Sequence, residues 1–185
     1  MAYLFDPQQL QQASQRAAGL PHQVMVRSLV ADLGRTYPGH IEQTEDWIMS
    51  LAGGATGVMT MLHCSLSEYL IVFGTPVGTE GFSGRYRIDI FDFLLAGEMW
   101  TFTEESCGER TVTRPGESAL LRRGQVKGYR VSEGSWMLEY GRGPIVTCLP
   151  MGLIGALIRL DGRILWKTLS VSTRLTFKTL LRGKM

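Results

Sequence analysis

Two acids set inside runs of strand-forming apolar residues constrain this chain more than any other feature. In Ile88-Asp89-Ile90-Phe91-Asp92-Phe93 alternate positions share a face, so Ile88, Ile90 and Asp92 point one way and Asp89, Phe91 and Phe93 the other. The segment Ser135-Trp136-Met137-Leu138-Glu139-Tyr140-Gly141 is apolar on both faces except at Glu139, the pattern of a central strand with one acid turned inward. An ionised carboxylate in apolar surroundings carries a large desolvation cost. It must find a cation, keep its proton, or share one with a second carboxyl. The pattern leaves two readings open: Glu139 in an ordinary ion pair with Arg85, Arg87 or Arg142, or Glu139 as half of a carboxyl pair with Asp92.

These strands belong to a longer stretch. From Trp47 to Tyr140 short runs rich in Val, Ile, Tyr, Phe and Thr alternate with turns at Gly53-Gly54, Gly81, Gly84, Gly108, Gly116, Gly124 and Gly134. That spacing predicts a small antiparallel barrel or sandwich. Tyr69, Ile71 and Phe73 share one strand face, and Met59, Met61 and His63 another. Both faces serve either as plain core or as a wide apolar lining. Ahead of the strands, Asp6-Pro7 reads as an N-cap with proline at the first helical position, and Gln8–Ala18 forms a helix ended by Gly19. Val24, Met25, Val26, Leu29 and Leu33 make a second helical stripe between Pro21 and Arg35, broken by Tyr37-Pro38-Gly39. Helical character returns after Gly143. The 185 residues, 44% of them hydrophobic, fit one domain: a helical lead-in over 1–40, a barrel over 41–143 and helices over 144–185.

Composition excludes several function classes. A net charge of +2 is too mild for a nucleic-acid protein, and the basic residues cluster only near the C-terminus. Cys64, Cys107 and Cys148 match neither zinc nor redox spacing and read as free thiols. His22, His40 and His63 lack partners at metal-ligand spacing, so no metal or other cofactor is expected, and His63 reads as a structural histidine. Met1–Gln15 has neither a signal-peptide pattern nor a membrane anchor. The uncharged stretch Pro144–Ile158 covers fifteen residues, short of the roughly 20 that a spanning helix needs. Beyond it, Arg163, Lys167, Arg174, Lys178 and Arg182 fall on one side of a helical wheel and Leu165, Trp166, Leu169, Phe177 and Leu180 on the other. Such a helix either lies in an anionic membrane interface or packs on its own barrel or a neighbouring subunit.

An ordered set of strings is specific: Tyr37-Pro-Gly-His40, Ala52-Gly-Gly54, Leu62-His63, Ser65-Leu-Ser-Glu-Tyr69, Phe73-Gly-Thr75, Ser83-Gly-Arg-Tyr86 and Trp136-Met-Leu-Glu-Tyr-Gly-Arg-Gly143. Together they resemble the family of the fungal sterol C-8 isomerase and the sigma non-opioid receptor, from Phe5-Asp6-Pro7 to about Leu149. The resemblance implies a mainly β fold with flanking helices, a cupin-like β-barrel without bound metal, closed by two C-terminal helices that face a membrane. It implies that Glu139 meets a ligand's ammonium group, that Asp92 is hydrogen-bonded to Glu139, and that Tyr69 orients Glu139. Met59, Met61, Ile71, Phe73, Ile90, Ile145 and Leu149 match further ligand-binding positions. Two positions depart from the receptor: Ala55 stands where it has a tryptophan, and Cys148 where it has a threonine.

The function implied is cofactor-free movement of a sterol double bond from the Δ8 to the Δ7 position, with Glu139 and Asp92 as the catalytic pair. The alternative within the same resemblance is a non-catalytic receptor for hydrophobic amines or sterols. The resemblance also implies a homotrimer held at a membrane, the endoplasmic reticulum in a eukaryote or the cytoplasmic membrane in a bacterium. No N-terminal transmembrane helix is expected, so attachment falls to Leu165, Trp166, Leu169, Phe177 and Leu180.

Overall fold

A computed structural model describes residues 3–106 and 108–182, which places Cys107 outside the described residues. The chain begins with α1 (Pro7–Ala17) and α2 (His22–Thr36). Asp6 caps α1 by accepting from the Gln8 amide at 2.9 Å, and Gly19 leaves the helix with φ of +79°. In α2 the buried stripe is Met25, Val26, Leu29, Val30 and Leu33. Val24, expected in it, is exposed, because at about 100° per residue it points roughly 100–140° away from Met25 and Leu29 around the helix.

Among the described residues ten strands follow: β1 (Ile48–Ala52), β2 (Ala55–Cys64), β3 (Glu68–Thr75), β4 (Thr79–Phe82), β5 (Asp89–Ala96), β6 (Met99–Phe102), β7 (Thr111–Thr113), β8 (Ser118–Leu121), β9 (Gly128–Val131) and β10 (Ser135–Arg142). They pair antiparallel in two sheets, ordered β1-β2-β3-β10-β5-β8 and β4-β9-β6-β7. The fold is mainly β with flanking helices. Among the described residues the ladders form two sheets and do not run continuously around a closed barrel.

The six-stranded sheet is covered on both faces, which is why β3, β5 and β10 read as nearly uninterrupted apolar runs. Its outer face packs on α1 and α2, with Leu70, Val72, Phe93, Leu95, Leu138 and Tyr140 against Leu10, Met25, Leu29 and Leu33. Glu68, fully buried, ties the N-terminal segment to this face by accepting from the amides of Leu4 at 2.8 Å and Phe5 at 3.2 Å and from the Tyr140 hydroxyl at 2.7 Å. The inner face is left to line a cavity.

Among the described residues two α-helices follow the strands, α3 (Leu149–Ile158) and α4 (Gly162–Leu180). No described helix is long and apolar enough to cross a membrane. Gly155 lets α3 approach β1 closely: a side-chain carbon there would sit 2.0 Å from the Leu51 carbonyl oxygen. α4 buries Thr168, Val171, Ser172, Leu175 and Thr179 and leaves Trp166, Leu169, Phe177 and Leu180 exposed, with Leu165 between the two. The basic side divides as well, since Lys167 pairs with Asp46 at 2.7 Å and Lys178 with Glu42 at 3.3 Å. α4 thus packs on its own protein through Val171 and Leu175 flanked by small polar residues, and presents a separate apolar face outward.

Candidate active site

Strand register brings the two acids together. Glu139 of β10 and Asp92 of β5 are direct partners, and Ile71 of β3 faces Glu139 from the other side. Directly opposed residues of an antiparallel pair project to the same face with Cβ atoms about 4.5–5.5 Å apart. That face looks into a cavity of about 220 Å³.

The cavity wall includes Glu139, Asp92 and Tyr69 together with Met59, Met61, Ile71, Phe73, Ile90, Ile145 and Leu149. Every candidate pocket position read from the sequence therefore meets the same space. Ala55 and Cys148 also lie on the wall. The helices contribute Leu149, Gly152, Thr168 and Ser172.

His63 departs from the face expected for it. A β-bulge between Met61 and His63 inserts one extra residue opposite β3, so Cys64 takes the inward position after Met61. His63 instead turns outward, its Nδ1 2.9 Å from the His40 carbonyl oxygen and its ring edge-on to Phe5. It has the structural surroundings its lack of metal-ligand neighbours suggested.

Tyr69 donates a hydrogen bond to Glu139 Oε1 at 2.6 Å. Tyr69 sits opposite Gly141, and its ring lies where any larger residue would stand: a Cβ at Gly141 would be 2.2 Å from Tyr69 Cε1. The remaining exposure of Glu139 and Tyr69 is toward the cavity, with protein packed around them. Burial, reinforced by the negative charge of Asp92, pushes the Glu139 carboxyl up to about 7, against the opposing pull of the Tyr69 hydrogen bond and the Lys127 charge. Glu139 therefore exchanges a proton near neutrality. Burial and the neighbouring Glu139 also hold the Tyr69 phenol well above its ordinary range, and Tyr86 and Tyr129 on the same wall are raised for the same reasons. All three phenols keep their protons, and Tyr69 donates its own to Glu139.

The cation at the site is one the sequence did not point to. Lys127 Nζ pairs with Asp92 Oδ2, and both side chains are buried, at 10% and 4% exposure. Arg85 and Arg142, two of the arginines considered as partners for Glu139, pair instead with Glu104 at 3.3 Å and Asp89 at 3.5 Å, and Arg87 is exposed. The hydrogen bond expected between Asp92 and Glu139 is replaced by two separate contacts, Asp92 with Lys127 and Glu139 with Tyr69. Among the described residues no group of His, Cys, Asp and Glu side chains is arranged to hold a metal ion.

An apolar cavity with a few convergent polar groups, one of them a carboxyl that exchanges its proton near neutrality, is the architecture of a hydrophobic small-molecule site. The family described as "ERG2 and Sigma1 receptor like protein" matches residues 1–184, and the chain belongs to it. Among relatives, the C-8 sterol isomerase erg2 of Aspergillus fumigatus is 40% identical over 187 residues, covering 98% of this chain and 78% of that protein. The sigma non-opioid intracellular receptor 1 of Gallus gallus is 34% identical over 157 residues, covering 84% of this chain and 70% of the receptor. An RmlC-like cupin from Shewanella frigidimarina overlaps 55% of this chain and 86% of its own at a TM-score of 0.45 and 17% identity.

Proposed function

We propose that this protein is a cofactor-independent sterol C-8 isomerase, with Glu139 as the proton carrier and Asp92 as its partner. The observation that carries this reading is the register pairing of Glu139 with Asp92 on the wall of an apolar cavity. The relatives named C-8 sterol isomerase, matched over nearly the whole chain, support it.

Moving the double bond requires a proton added at carbon nine, a tertiary carbocation at carbon eight and a proton lost from carbon seven. Glu139 in its acid form donates the first proton. Its carboxylate and that of Asp92 then face the cation in a water-poor space, where attraction between opposite charges is stronger than in water. The proton from carbon seven returns to the carboxyl pair, which restores the starting state without any other reagent. Tyr69 holds Glu139 in place, while Met59, Met61, Ile71, Phe73, Ile90, Ile145 and Leu149 contact the hydrophobic body of the ligand.

The chain works as one domain and rests on a membrane surface through the apolar face of α3 and α4. Trp166 and Phe177, 75% and 62% exposed, support that placement, as do Leu157 and Ile158 on α3. A sterol then reaches the cavity from the bilayer past Leu149 and Gly152. The resemblance to the receptor branch supports assembly as a homotrimer.

A second reading, a non-catalytic receptor for hydrophobic amines, is favoured by the sigma-receptor relatives and by a carboxyl that can face an ammonium group. An ammonium beside Glu139 imitates the carbocation, so amine binding fits both readings. Product formation separates them. Purified protein in liposomes is incubated with a Δ8-sterol and the sterol is analysed by mass spectrometry. Conversion lost in Glu139→Gln and Asp92→Asn supports the isomerase, and amine binding without conversion supports the receptor.

A further inference from the structure

The cavity wall carries two hydroxyls that the proton transfer described above does not use. Ser50 on β1 and Thr168 on α4 line the cavity and are only 9% and 7% exposed. Among the described residues neither hydroxyl has a hydrogen-bond partner. Other hydroxyls of α4 behave differently: Ser172 donates to the Thr168 carbonyl at 2.8 Å and Thr179 to the Leu175 carbonyl at 2.9 Å, each satisfied one turn back along the helix. A buried hydroxyl without a partner carries a cost, and a ligand group that both donates and accepts a hydrogen bond removes it.

The two hydroxyls belong to one end of the cavity. α4 docks on β1 beside them, with Lys167 Nζ donating to the Trp47 carbonyl at 2.8 Å and Ile48 packing with Val171. β1 is the edge of the six-stranded sheet, three strands from the β10 that carries Glu139. Phe73, Met99 and Met137 form an apolar cluster elsewhere on the wall. The hydroxyls nearer the acids are engaged or stand beside the charge: Tyr69 donates to Glu139, Ser83 to the Gly84 carbonyl, and Tyr86 and Tyr129 feel the charge of Glu139.

A sterol has a ring hydroxyl at one end, a hydrocarbon tail at the other and the reacting carbons between them. With its hydroxyl beside Tyr86 and Tyr129, the first ring would meet the acids in place of the double bond. With its hydroxyl at Ser50 and Thr168, the reacting carbons can face Glu139 and the tail can meet Phe73, Met99 and Met137.

We propose that Ser50 and Thr168 form a recognition site for the ring hydroxyl of a sterol and so fix which way round the sterol lies in the cavity. The inference rests on the reading of the cavity as a sterol site and does not depend on turnover.

The test compares binding of a Δ8-sterol and of its analogue lacking the hydroxyl to the full chain in detergent. The readout is the ratio of the two affinities in each variant relative to wild type, so that the difference in hydrophobicity between the two compounds cancels. Ser50→Ala combined with Thr168→Val lowers the preference for the sterol by at least ~10-fold, while Tyr86→Phe combined with Tyr129→Phe keeps the wild-type ratio. Each single substitution at Ser50 or Thr168 shifts the ratio in the same direction, and the pair of singles supplies the test if the double variant does not fold. A folded double variant within about threefold of wild type, or both folded singles within about twofold, overturns the proposal. A fall confined to the tyrosine substitutions also overturns it. A wild-type protein that binds sterol but converts none contradicts the isomerase reading and leaves this comparison intact.

Discussion

The ring of Tyr69 occupies the space above Gly141, and this lets its hydroxyl reach Glu139 two residues back along the same strand. The position of the acid thus depends on a residue that has no side chain. Gly141→Ala forces the ring away from its seat, because a methyl group there would lie 2.2 Å from Tyr69 Cε1. The expected result is a loss of about 1–3 kcal/mol in denaturant unfolding, together with weaker ligand binding. Tyr69→Phe should weaken binding in the same way with less effect on stability, since the ring is kept and only its hydroxyl is lost.

The proton on Glu139 makes stability depend on pH. Its folded-state value, about 7, lies above the ordinary 4.5, so between these limits the folded protein binds more protons than the unfolded chain. Stability contributed by the neutral carboxyl is complete below about pH 4.5 and is lost as pH rises through about 7. The loss is on the order of a few kcal/mol. Glu139→Gln should abolish this part of the pH dependence in urea unfolding measured at pH 5 and pH 8. An unchanged difference between the two pH values would show that Glu139 is ionised throughout.

Glu68 serves the other face of the same sheet. It accepts from Leu4, Phe5 and the Tyr140 hydroxyl in a fully buried setting. Glu68→Gln turns one acceptor oxygen into a donor facing other donors and should cost about 1–3 kcal/mol in chemical denaturation. Ligand affinity measured on the folded variant should stay near that of wild type, because Glu68 does not reach the cavity.

Membrane attachment is tested on side chains that carry no packing. Trp166 and Phe177 are 75% and 62% exposed on α4. The double substitution Trp166→Glu with Phe177→Glu should reduce co-flotation with anionic liposomes by at least ~10-fold and leave thermal unfolding nearly unchanged. Full flotation by the double variant would place the membrane contact elsewhere.

The sequence made some of this legible and hid the rest for definite reasons. Period-two alternation put Ile90 and Asp92 on one face of β5, and the lone acid in an apolar run marked Glu139 as inward, because each signal is local to its strand. Lys127 was hidden in Arg122-Arg123-Gly124-Gln125-Val126-Lys127-Gly128, which reads as a solvated turn; only packing across the two sheets turns its side chain inward. The Met61–His63 bulge shifted His63 and Cys64 by one position, and a period-two reading has no means to count an inserted residue. On α4 the wheel separated basic from apolar residues correctly but missed the packing face. Thr168, Ser172 and Thr179 are buried there beside Val171 and Leu175, and hydropathy ranks those three with the solvent. Val24 erred the opposite way, an apolar residue within a helical run that the fold leaves in water.

The central claim, that Glu139 carries the proton moved in a sterol isomerisation, is tested most directly by running the reaction in heavy water. Glu139 exchanges its proton with solvent, so the Δ7 product should gain one deuterium at carbon nine. Glu139→Gln should convert the Δ8-sterol at least ~100-fold more slowly while still binding it. Conversion without deuterium uptake, or undiminished conversion by folded Glu139→Gln, would contradict the account.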